Sequence, residues 1–357
     1  MSANKIIEKF LTAQDRLVFQ SADLSLESIA NMVSGGAINI KPKYQRRERW
    51  GITKQSALIE SFLLNIPVPP IFLAEDEYGK YSVIDGKQRI TSIYNFIERN
   101  TKLVNLEKFI EIENYTFKNL PEPLNNALKI RPYVRVITLL KQSDPQLKYE
   151  VFNRLNTGGD NLLPQEIRNA AYEGGLNDAL VDMSEHIFLR KQLNIANEKN
   201  RLRSKLYLEM RDVEYVLRFF TLREYWDSFS GNMRNEMDRF MLKNTKSDAL
   251  DINGLKNIFN DSMEICEEIW GDRSFKRPDG RNEIIQGIYD AQAISISFFV
   301  KDKKKELIKN KNKIKNGFNN LYIEDKNFQT SMRQFTSNIK QVDCRIRTMK
   351  NFITEII

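Results

Sequence analysis

Apolar residues in the first third of the chain switch between strand-like and helix-like spacing. Residues 24–33, LSLESIANMV, have helical spacing, and a second helix is predicted to begin at Thr53 as its N-cap and to end at the prolines of NIPVPP. The short apolar runs PIFLAE and KYSVI, separated by DEYG, predict a β-hairpin. Directly after it, Ile90, Ile93 and Ile97 repeat with the period of a helix.

The same patterns divide the rest of the chain. YVRVITL, residues 133–139, alternates and is β-branched, which predicts another strand. A helix is predicted to begin at Ser143-Asp144-Pro145, and LLPQEIRNAAYEGG predicts a further helix that ends in a glycine pair. Beyond about residue 205 the chain has long amphipathic helical patterns and few strand signals. We therefore expect an α+β protein, with an N-terminal domain over residues 1–205 and a mostly α-helical C-terminal domain over residues 206–357.

The charge of the chain points towards anionic partners without identifying one. The 357 residues carry a net charge of +8 with a pI near 9.2, which favours a polyanion such as nucleic acid or a nucleotide, although a merely soluble basic protein fits as well. Residues 301–317 contain eight lysines against one Asp and one Glu. Such a run is either a solvated helix face or mobile linker, or a surface that contacts phosphates.

The counts of cysteine and histidine exclude several classes of protein. Cys266 and Cys344 lie far apart, which argues against a zinc ribbon and against a secreted disulfide scaffold. His186 is the single histidine, whereas nucleases with a histidine base, Ser-His-Asp hydrolases and two-histidine metalloproteases need more, and we expect it to be structural. The N-terminus lacks a signal-peptide pattern, and no run approaches the roughly 18 apolar residues of a membrane span. We expect a cytoplasmic protein.

The pentapeptide Asp85-Gly86-Lys87-Gln88-Arg89 lies where the predicted strand meets the predicted helix. A helix start leaves N–H groups unpaired and carries partial positive charge, so anions bind there. Gly86 permits close approach of a ligand, and Lys87 and Arg89 add cations suited to phosphate. Alternatively, Arg89 pairs with Asp85 or with another carboxylate. The chain has no Walker or Rossmann glycine motif, so a nucleotide site here is not a P-loop.

Two other stretches have similar chemistry. YQRRERW places an amide and cations between two aromatic residues, which suits base stacking or phosphate binding, or else the loop serves only to pack Trp50 into a core. FNRLNTGG combines an arginine and an asparagine with a glycine turn, or else the turn only ends a helix. The candidate residues in these stretches are Tyr44, Gln45, Arg46, Arg154 and Asn156.

The motifs YQR, NIPVPP, IDGKQR, FNRLNTGG, QEIRNA and MRDVEYVLRFF occur in this order over about residues 25–225. In the order of these motifs, the chain resembles the domain-of-unknown-function family that forms the N-terminal part of GmrSD-type restriction endonucleases. That N-terminal domain is related to the ParB and sulfiredoxin fold. The resemblance implies a ParB/sulfiredoxin-like N-terminal domain. Members of the family carry a D-G-Q-Q-R signature implicated in nucleotide binding and hydrolysis. Lys87 replaces its third residue here, which keeps a phosphate-compatible side chain but departs from the signature.

The resemblance also implies roles for these residues. We expect Asp85 and Gln88 to be catalytic, Asp85 to hold a Mg²⁺ ion, and Gly86, Lys87 and Arg89 to bind a nucleoside triphosphate, with the candidates of the other two stretches close by. The histidine-dependent nuclease half of many relatives has no counterpart here, so DNA cleavage would need a partner nuclease or an atypical site in this chain. The function expected is that of a nucleotide-binding, NTP-hydrolysing and DNA-associated protein of a restriction or phage-defence system. The alternatives are a non-catalytic module that binds DNA or a partner, and a metal-dependent DNA nuclease acting through the ParB-like domain.

Overall fold

The computed structural model of the protein describes residues 5, 7–8, 10–11, 17–40, 50–143, 150–151, 154–155, 163–172, 174–245, 247–280, 282–334 and 337–357. The chain divides into two compact units, Met1–Ala171 and Tyr172–Ile357. The predicted domain boundary after residue 205 stays a prediction. The boundary between the compact units lies earlier in the chain, after Ala171. Residue 205 lies inside the second unit, because the helices on either side of it, Gly175–Ser184 and Arg211–Tyr225, pack on each other.

The first unit combines helices with a small sheet, which confirms the α+β class. Its strands, in chain order, are β1 (Phe19–Ser25), β2 (Ile71–Glu77), β3 (Lys80–Asp85) and β4 (Tyr133–Leu139). Its helices among the described residues are α1 (Leu26–Ser34), α2 (Ile52–Leu63), α3 (Lys87–Ile97), α4 (Glu122–Ile130) and α5 (Pro164–Ala171), with two short 3-10 turns, Ile110–Ile112 and Phe117–Asn119.

The four strands form one mixed sheet in the order β1-β4-β2-β3. β1 pairs antiparallel with β4, β2 pairs antiparallel with β3, and β2 pairs parallel with β4, with Ile71 opposite Val136. β3 is therefore an outer strand among the described elements, and its last residue, Asp85, lies opposite Phe72 of β2. This position puts the start of α3 beside the beginning of β2.

Side chains alternate between two apolar clusters on the sheet, as the pleat requires. Leu73 and Val83 belong to the larger cluster, which also contains buried residues from α1 to α4. Their neighbours Ala74 and Ile84 belong to a smaller cluster with Ile167 of α5. β3 is thus buried by both clusters just before the corner, which fixes where Asp85 lies.

The predicted hairpin is confirmed, and so is the strand Tyr133–Leu139, whose bounds agree with the prediction. The helix predicted over residues 24–33 begins at Leu26, with Ser25 as its N-cap. The N-cap predicted at Thr53 is wrong: α2 begins at Ile52 after Gly51, which has extended backbone angles and makes no side-chain cap. Thr53 instead lies inside the first turn.

The second unit is helical throughout its described part, apart from an isolated bridge between Lys276 and Ile284. Its helices are α6 (Gly175–Ser184), α7 (Ile187–Gln192), α8 (Glu198–Arg203), α9 (Lys205–Leu208), α10 (Arg211–Tyr225), α11 (Met233–Asn244), α12 (Ala249–Trp270), α13 (Gln286–Tyr289), α14 (Ser295–Ser297), α15 (Lys304–Lys309), α16 (Lys311–Glu324), α17 (Lys326–Arg333) and α18 (Ile339–Ile356), with a 3-10 turn at Gly271–Arg273 and a π-helix at Asp290–Ile294.

A fully buried ion-pair triad lies in the core of this unit. Asp290, on the π-helix, accepts hydrogen bonds from Arg218 of α10 through both carboxylate oxygens, at 2.8 and 2.6 Å. Arg345 of α18 donates to the same carboxylate at 2.7 and 3.0 Å and also to the carbonyl of Ser331 at 3.0 Å. All three charged side chains are at most 2% exposed. The triad therefore joins α10, α18 and the π-helix at a place from which water is excluded.

Asp212, in the first turn of α10, makes the stability of the protein depend on pH. The residue is 3% exposed, and burial raises the pKa of its carboxyl to about 6 in spite of hydrogen bonds from the N–H groups of Val213 and of Asp212 itself. Between pH 4 and 6 the folded protein keeps a proton that the unfolded chain releases, so the free energy of unfolding falls as pH rises through this window, by up to about 3 kcal/mol. Urea unfolding of wild type and Asp212→Asn from pH 4 to 7 measures this.

The asparagine variant is expected to gain stability relative to wild type as pH rises, because it has no proton to lose. His186 acts in the opposite sense, since burial lowers its pKa, but it is common to both proteins and drops out of the difference. Parallel pH curves for the two proteins would show that Asp212 is not the group responsible.

No helix in the described part of the chain is both long enough and apolar enough to cross a bilayer.

Candidate functional site

The corner between β3 and α3 is made by Gly86. This residue has φ 94° and ψ 11°, in the left-handed region that favours glycine. A Cβ atom on it would lie 2.9 Å from Cγ1 of Ile71 and 3.1 and 3.2 Å from Nη2 and Nε of Arg89. Gly86 is therefore required both for the turn and for the space beside the Arg89 guanidinium.

An ion pair between Arg89 and Asp85 spans the corner. Its Nη2 donates to Oδ2 of Asp85 at 2.7 Å and to the carbonyl of Pro70 at 3.2 Å. The Arg89 side chain is 12% exposed, whereas that of Asp85 is 41% exposed. The pairing of Arg89 with Asp85, one of the alternatives raised by the sequence, is thus present in the structure.

The two members of this pair keep polar atoms that the pair does not use. Nε of Arg89 is buried and has no hydrogen-bond partner among the residues that the structure describes. A buried polar group in a folded protein nearly always has a partner, so an unpartnered one calls for an explanation. The Asp85 carboxylate binds Arg89 through Oδ2 only and remains partly open to solvent.

Gln88 connects the corner to Trp50. The backbone N–H of Trp50 donates to Oε1 of Gln88 at 3.3 Å, and the carbonyl of Trp50 accepts from Nε2 of Gln55 at 2.9 Å. Asn95 of α3 donates to Gln55 in turn, at 3.1 Å. Trp50 is itself partly buried against the larger apolar cluster. The end of the YQRRERW stretch therefore lies at the corner, and Trp50 packs into the core as the structural alternative expected.

Lys87 is the first residue of α3 and is half-buried. The first turn of this helix contains no acidic residue, and its N-cap, Gly86, has no side chain to cap the N–H groups. The helix dipole and Lys87 thus add positive potential at one point, which favours an anion there.

The described part of the structure does not place the other predicted binding residues at the corner. Arg154 is 78% exposed and pairs with Glu150, one turn before it. Tyr44, Gln45, Arg46 and Asn156 lie outside the described residues. Their predicted roles stay predictions.

Sequence reasoning missed the interior cluster on α5, which packs on β3. Nε2 of Gln165 donates to Oδ1 of Asn169 at 2.9 Å, and Nη1 of Arg168 donates to Oε1 of Gln165 at 3.2 Å. All three side chains are at most 1% exposed. The QEIRNA motif therefore supplies a buried polar layer behind the strand that ends in Asp85. The role of Pro70, whose carbonyl accepts a hydrogen bond from Arg89, was also missed, because every residue has a backbone carbonyl and the residue type does not show which one is used.

The described side chains do not form a histidine-dependent catalytic site or a ready metal site. His186 precedes α7, its ring contacts that of Phe259 edge to face at 6.2 Å between centroids, and burial lowers its pKa. Among the described residues, no group of three or more His, Cys, Asp or Glu side chains is arranged to hold a metal ion. A divalent ion at Asp85 would need most of its ligands from water or from a bound phosphate, as Mg²⁺ often has.

The mixed sheet, with its helices and the glycine corner, defines an α+β protein, with which a ParB/sulfiredoxin-like N-terminal domain is consistent. Comparison with family models gives one match: residues 29–173 are similar to the model described as GmrSD restriction endonuclease, N-terminal domain. The match indicates a protein of a restriction-type, DNA-associated system. Comparisons with curated proteins and with solved structures give no match.

Proposed function

We propose that the corner formed by residues 85–89 binds a nucleoside triphosphate together with Mg²⁺ and hydrolyses it, as the nucleotide-dependent part of a cytoplasmic restriction or phage-defence system. The observation that carries this proposal is the state of Arg89. Its guanidinium is fixed by Asp85 and Pro70 next to an uncapped helix start, with Nε buried and unpartnered. A preorganised cation beside a helix N-terminus is what phosphate recognition requires.

Asp85 and Gln88 have separate roles in this proposal. The Asp85 carboxylate, bound to Arg89 through one oxygen, would hold a magnesium ion with its other oxygen, and the ion would supply positive charge for the triphosphate. The ion would neutralise charge that develops on the transferred phosphoryl group. Gln88, fixed through its Oε1 by Trp50, orients the attacking water or the γ-phosphate with its amide group. Lys87 binds phosphate oxygens at the first position of the helix.

Gly86 keeps the approach to this site open. A Cβ atom there would lie within 3.2 Å of two guanidinium nitrogens of Arg89 and would occupy the space that a phosphate oxygen needs. The left-handed conformation of Gly86 also turns the chain so that the α3 amides follow Asp85 directly.

In this proposal nucleotide occupancy controls association with DNA, and cleavage belongs to a partner nuclease. The assignment to a restriction-type, DNA-associated system supports the DNA partner. The histidine chemistry of His186, packed on Phe259, gives no support to an autonomous nuclease of that type.

Calorimetric titration of the full chain with ATP, GTP, CTP and UTP, each with Mg²⁺, tests the proposal. We expect micromolar binding of at least one triphosphate, since three or four charge-assisted hydrogen bonds at roughly 1.5–3 kcal/mol each suffice for it. The corresponding monophosphate should bind at least tenfold more weakly, and the bound triphosphate should release inorganic phosphate. Absence of binding at millimolar concentration would refute a nucleotide site, and binding without phosphate release would favour a non-catalytic module.

A further inference from the structure

The lysine-rich segment 301–317 has two different faces in the folded protein. Lys304, on α15, donates to Asp261 at 2.5 Å and to Glu264 at 2.9 Å, and Lys311, on α16, donates to Glu268 at 2.5 Å. These three acids belong to α12. The two lysines therefore serve to dock the segment on the core, together with the buried side chains of Leu307, Ile314 and Phe318.

This docking directs three other lysines away from the core. Lys305 and Lys309 are four residues apart on α15, so they lie on one side of that helix, away from the docked Leu307, and Lys313 lies in the first turn of α16. α15 and α16 are separate helices that meet at Asn310, which has φ −99° and ψ 13°. Both follow α12, because Lys304 pairs with Asp261 and Lys311, seven residues later, pairs with Glu268, also seven residues later. We call Lys305, Lys309 and Lys313 the lysine ridge. The seven-residue step on α12 from Asp261 to Glu268, at 1.5 Å per residue, gives the ridge a length of about 10 Å.

No described residue neutralises the charge of the ridge. All three of its lysines are exposed, and none of them makes an ion pair with any described residue. Lys301 and Lys303, also exposed, add positive charge just before α15. The acids of the segment are Asp302 and Glu306, and neither pairs with a ridge lysine in the described structure. A line of uncompensated cations remains.

We propose that the lysine ridge binds the phosphate backbone of duplex DNA independently of sequence. Duplex DNA carries one negative charge per about 1.7 Å of its axis, so a ridge of this length faces several phosphates at once. Lysine is depleted in protein–protein interfaces, and the ridge has no aromatic anchor of the kind that such interfaces need. This site is in the second unit and is separate from the nucleotide corner, so it does not depend on the proposed nucleotide chemistry.

The test compares two triple variants of the full chain. Lys305, Lys309 and Lys313 are changed to glutamine in one variant, and in the other the same change is made at Lys199, Lys205 and Lys340, which are exposed and unpaired lysines elsewhere in the same unit. Both lose the same charge. Binding to a labelled duplex of arbitrary sequence is measured against salt concentration by fluorescence anisotropy, and circular dichroism melting checks that both variants fold.

We expect the ridge variant to bind about 100-fold more weakly at 0.1 M salt, and the slope of log K against log salt to fall by about 3, one for each lost phosphate contact. The control variant should change by less than threefold. Equal losses in both variants would assign the effect to net charge alone and overturn the proposal, as would an unchanged ridge variant. It would also be overturned if wild type failed to bind duplex at low salt but bound polyglutamate or vesicles of anionic lipid through the ridge. Calorimetry with Mg²⁺ and triphosphate should give the same result for both variants.

Discussion

Replacing Asp290 by asparagine is expected to destabilise the protein by about 3–5 kcal/mol, the cost of removing one partner from a buried ion pair. The change leaves Arg218 and Arg345 facing each other without a counter-charge, in a place where all three side chains are at most 2% exposed. Burial opposes the ionisation of Asp290, but the charges and hydrogen bonds of the two arginines outweigh it and lower the pKa of this carboxyl. The charged form is therefore part of the folded state.

The loss would be a large fraction of the total, because domains are typically stable by only about 5–15 kcal/mol. For a unit of this size it corresponds to a fall in melting temperature of about 6–20 °C, which calorimetry measures directly. Asp343→Asn is the matched control, since Asp343 pairs with Arg347 on the surface of α18, where both side chains are exposed. We expect that change to cost less than about 1 kcal/mol.

A third variant separates charge from packing. Arg345→Met leaves Asp290 in its two-point contact with Arg218 and removes a guanidinium whose pKa burial has lowered. It should cost less than Asp290→Asn, because one acid and one base remain. If the asparagine variant were as stable as the surface control, the triad would not be the element that fixes this core.

The sequence did not predict which residues form the buried ion-pair triad. Asp290 stands in GIYDAQAIS, among apolar residues of helical spacing, and the prediction of a helical region there is confirmed. Nothing in that spacing identifies Arg218 and Arg345, which lie 72 and 55 residues away along the chain, as its partners. Side-chain period predicts elements because it is local, whereas the pairing of buried charges is set by tertiary packing.

Strand β1 shows the same limit within the sheet. Phe19–Ser25 is exposed or half-buried along its whole length and lies at the edge, where it pairs with β4 through backbone hydrogen bonds. Without a buried face it has no alternating apolar pattern, so no strand was predicted there. β4, by contrast, has buried Val134 and Val136 two residues apart, and its predicted bounds agree with the structure.

At the candidate site, the sequence located the corner but not its internal bonding. Glycine before a helical period predicted the turn at Gly86, and the choice between an anion site and a local ion pair was left open. The structure contains the ion pair and adds two partners of the signature, the Pro70 carbonyl and the Trp50 N–H, which are backbone groups and thus independent of residue type. Arg89 is only 12% exposed, so its side chain is packed into the corner as well as paired with Asp85.

Replacing Arg89 by alanine is therefore expected to have two effects, a loss of triphosphate binding and a moderate loss of stability. Removing the guanidinium deletes at least one charge-assisted hydrogen bond to phosphate, worth roughly 1.5–3 kcal/mol, so the affinity should fall by at least about 10- to 100-fold. The stability should fall by about 1–2 kcal/mol, since the Pro70 carbonyl loses its donor while Asp85, at 41% exposure, remains hydrated.

Arg135→Ala is the matched control for this variant. Arg135 lies in the same unit and makes a two-point ion pair with Asp23 at 2.9 and 3.0 Å, but on the exposed face of the paired strands β1 and β4. Its replacement should leave triphosphate binding unchanged, which separates a specific anion site from a general loss of positive charge. Arg89→Lys should keep part of the affinity, because a point charge remains but the forked geometry is lost. Full triphosphate affinity in a folded Arg89→Ala variant would contradict the anion site and leave the Asp85–Arg89 pair with a purely structural role.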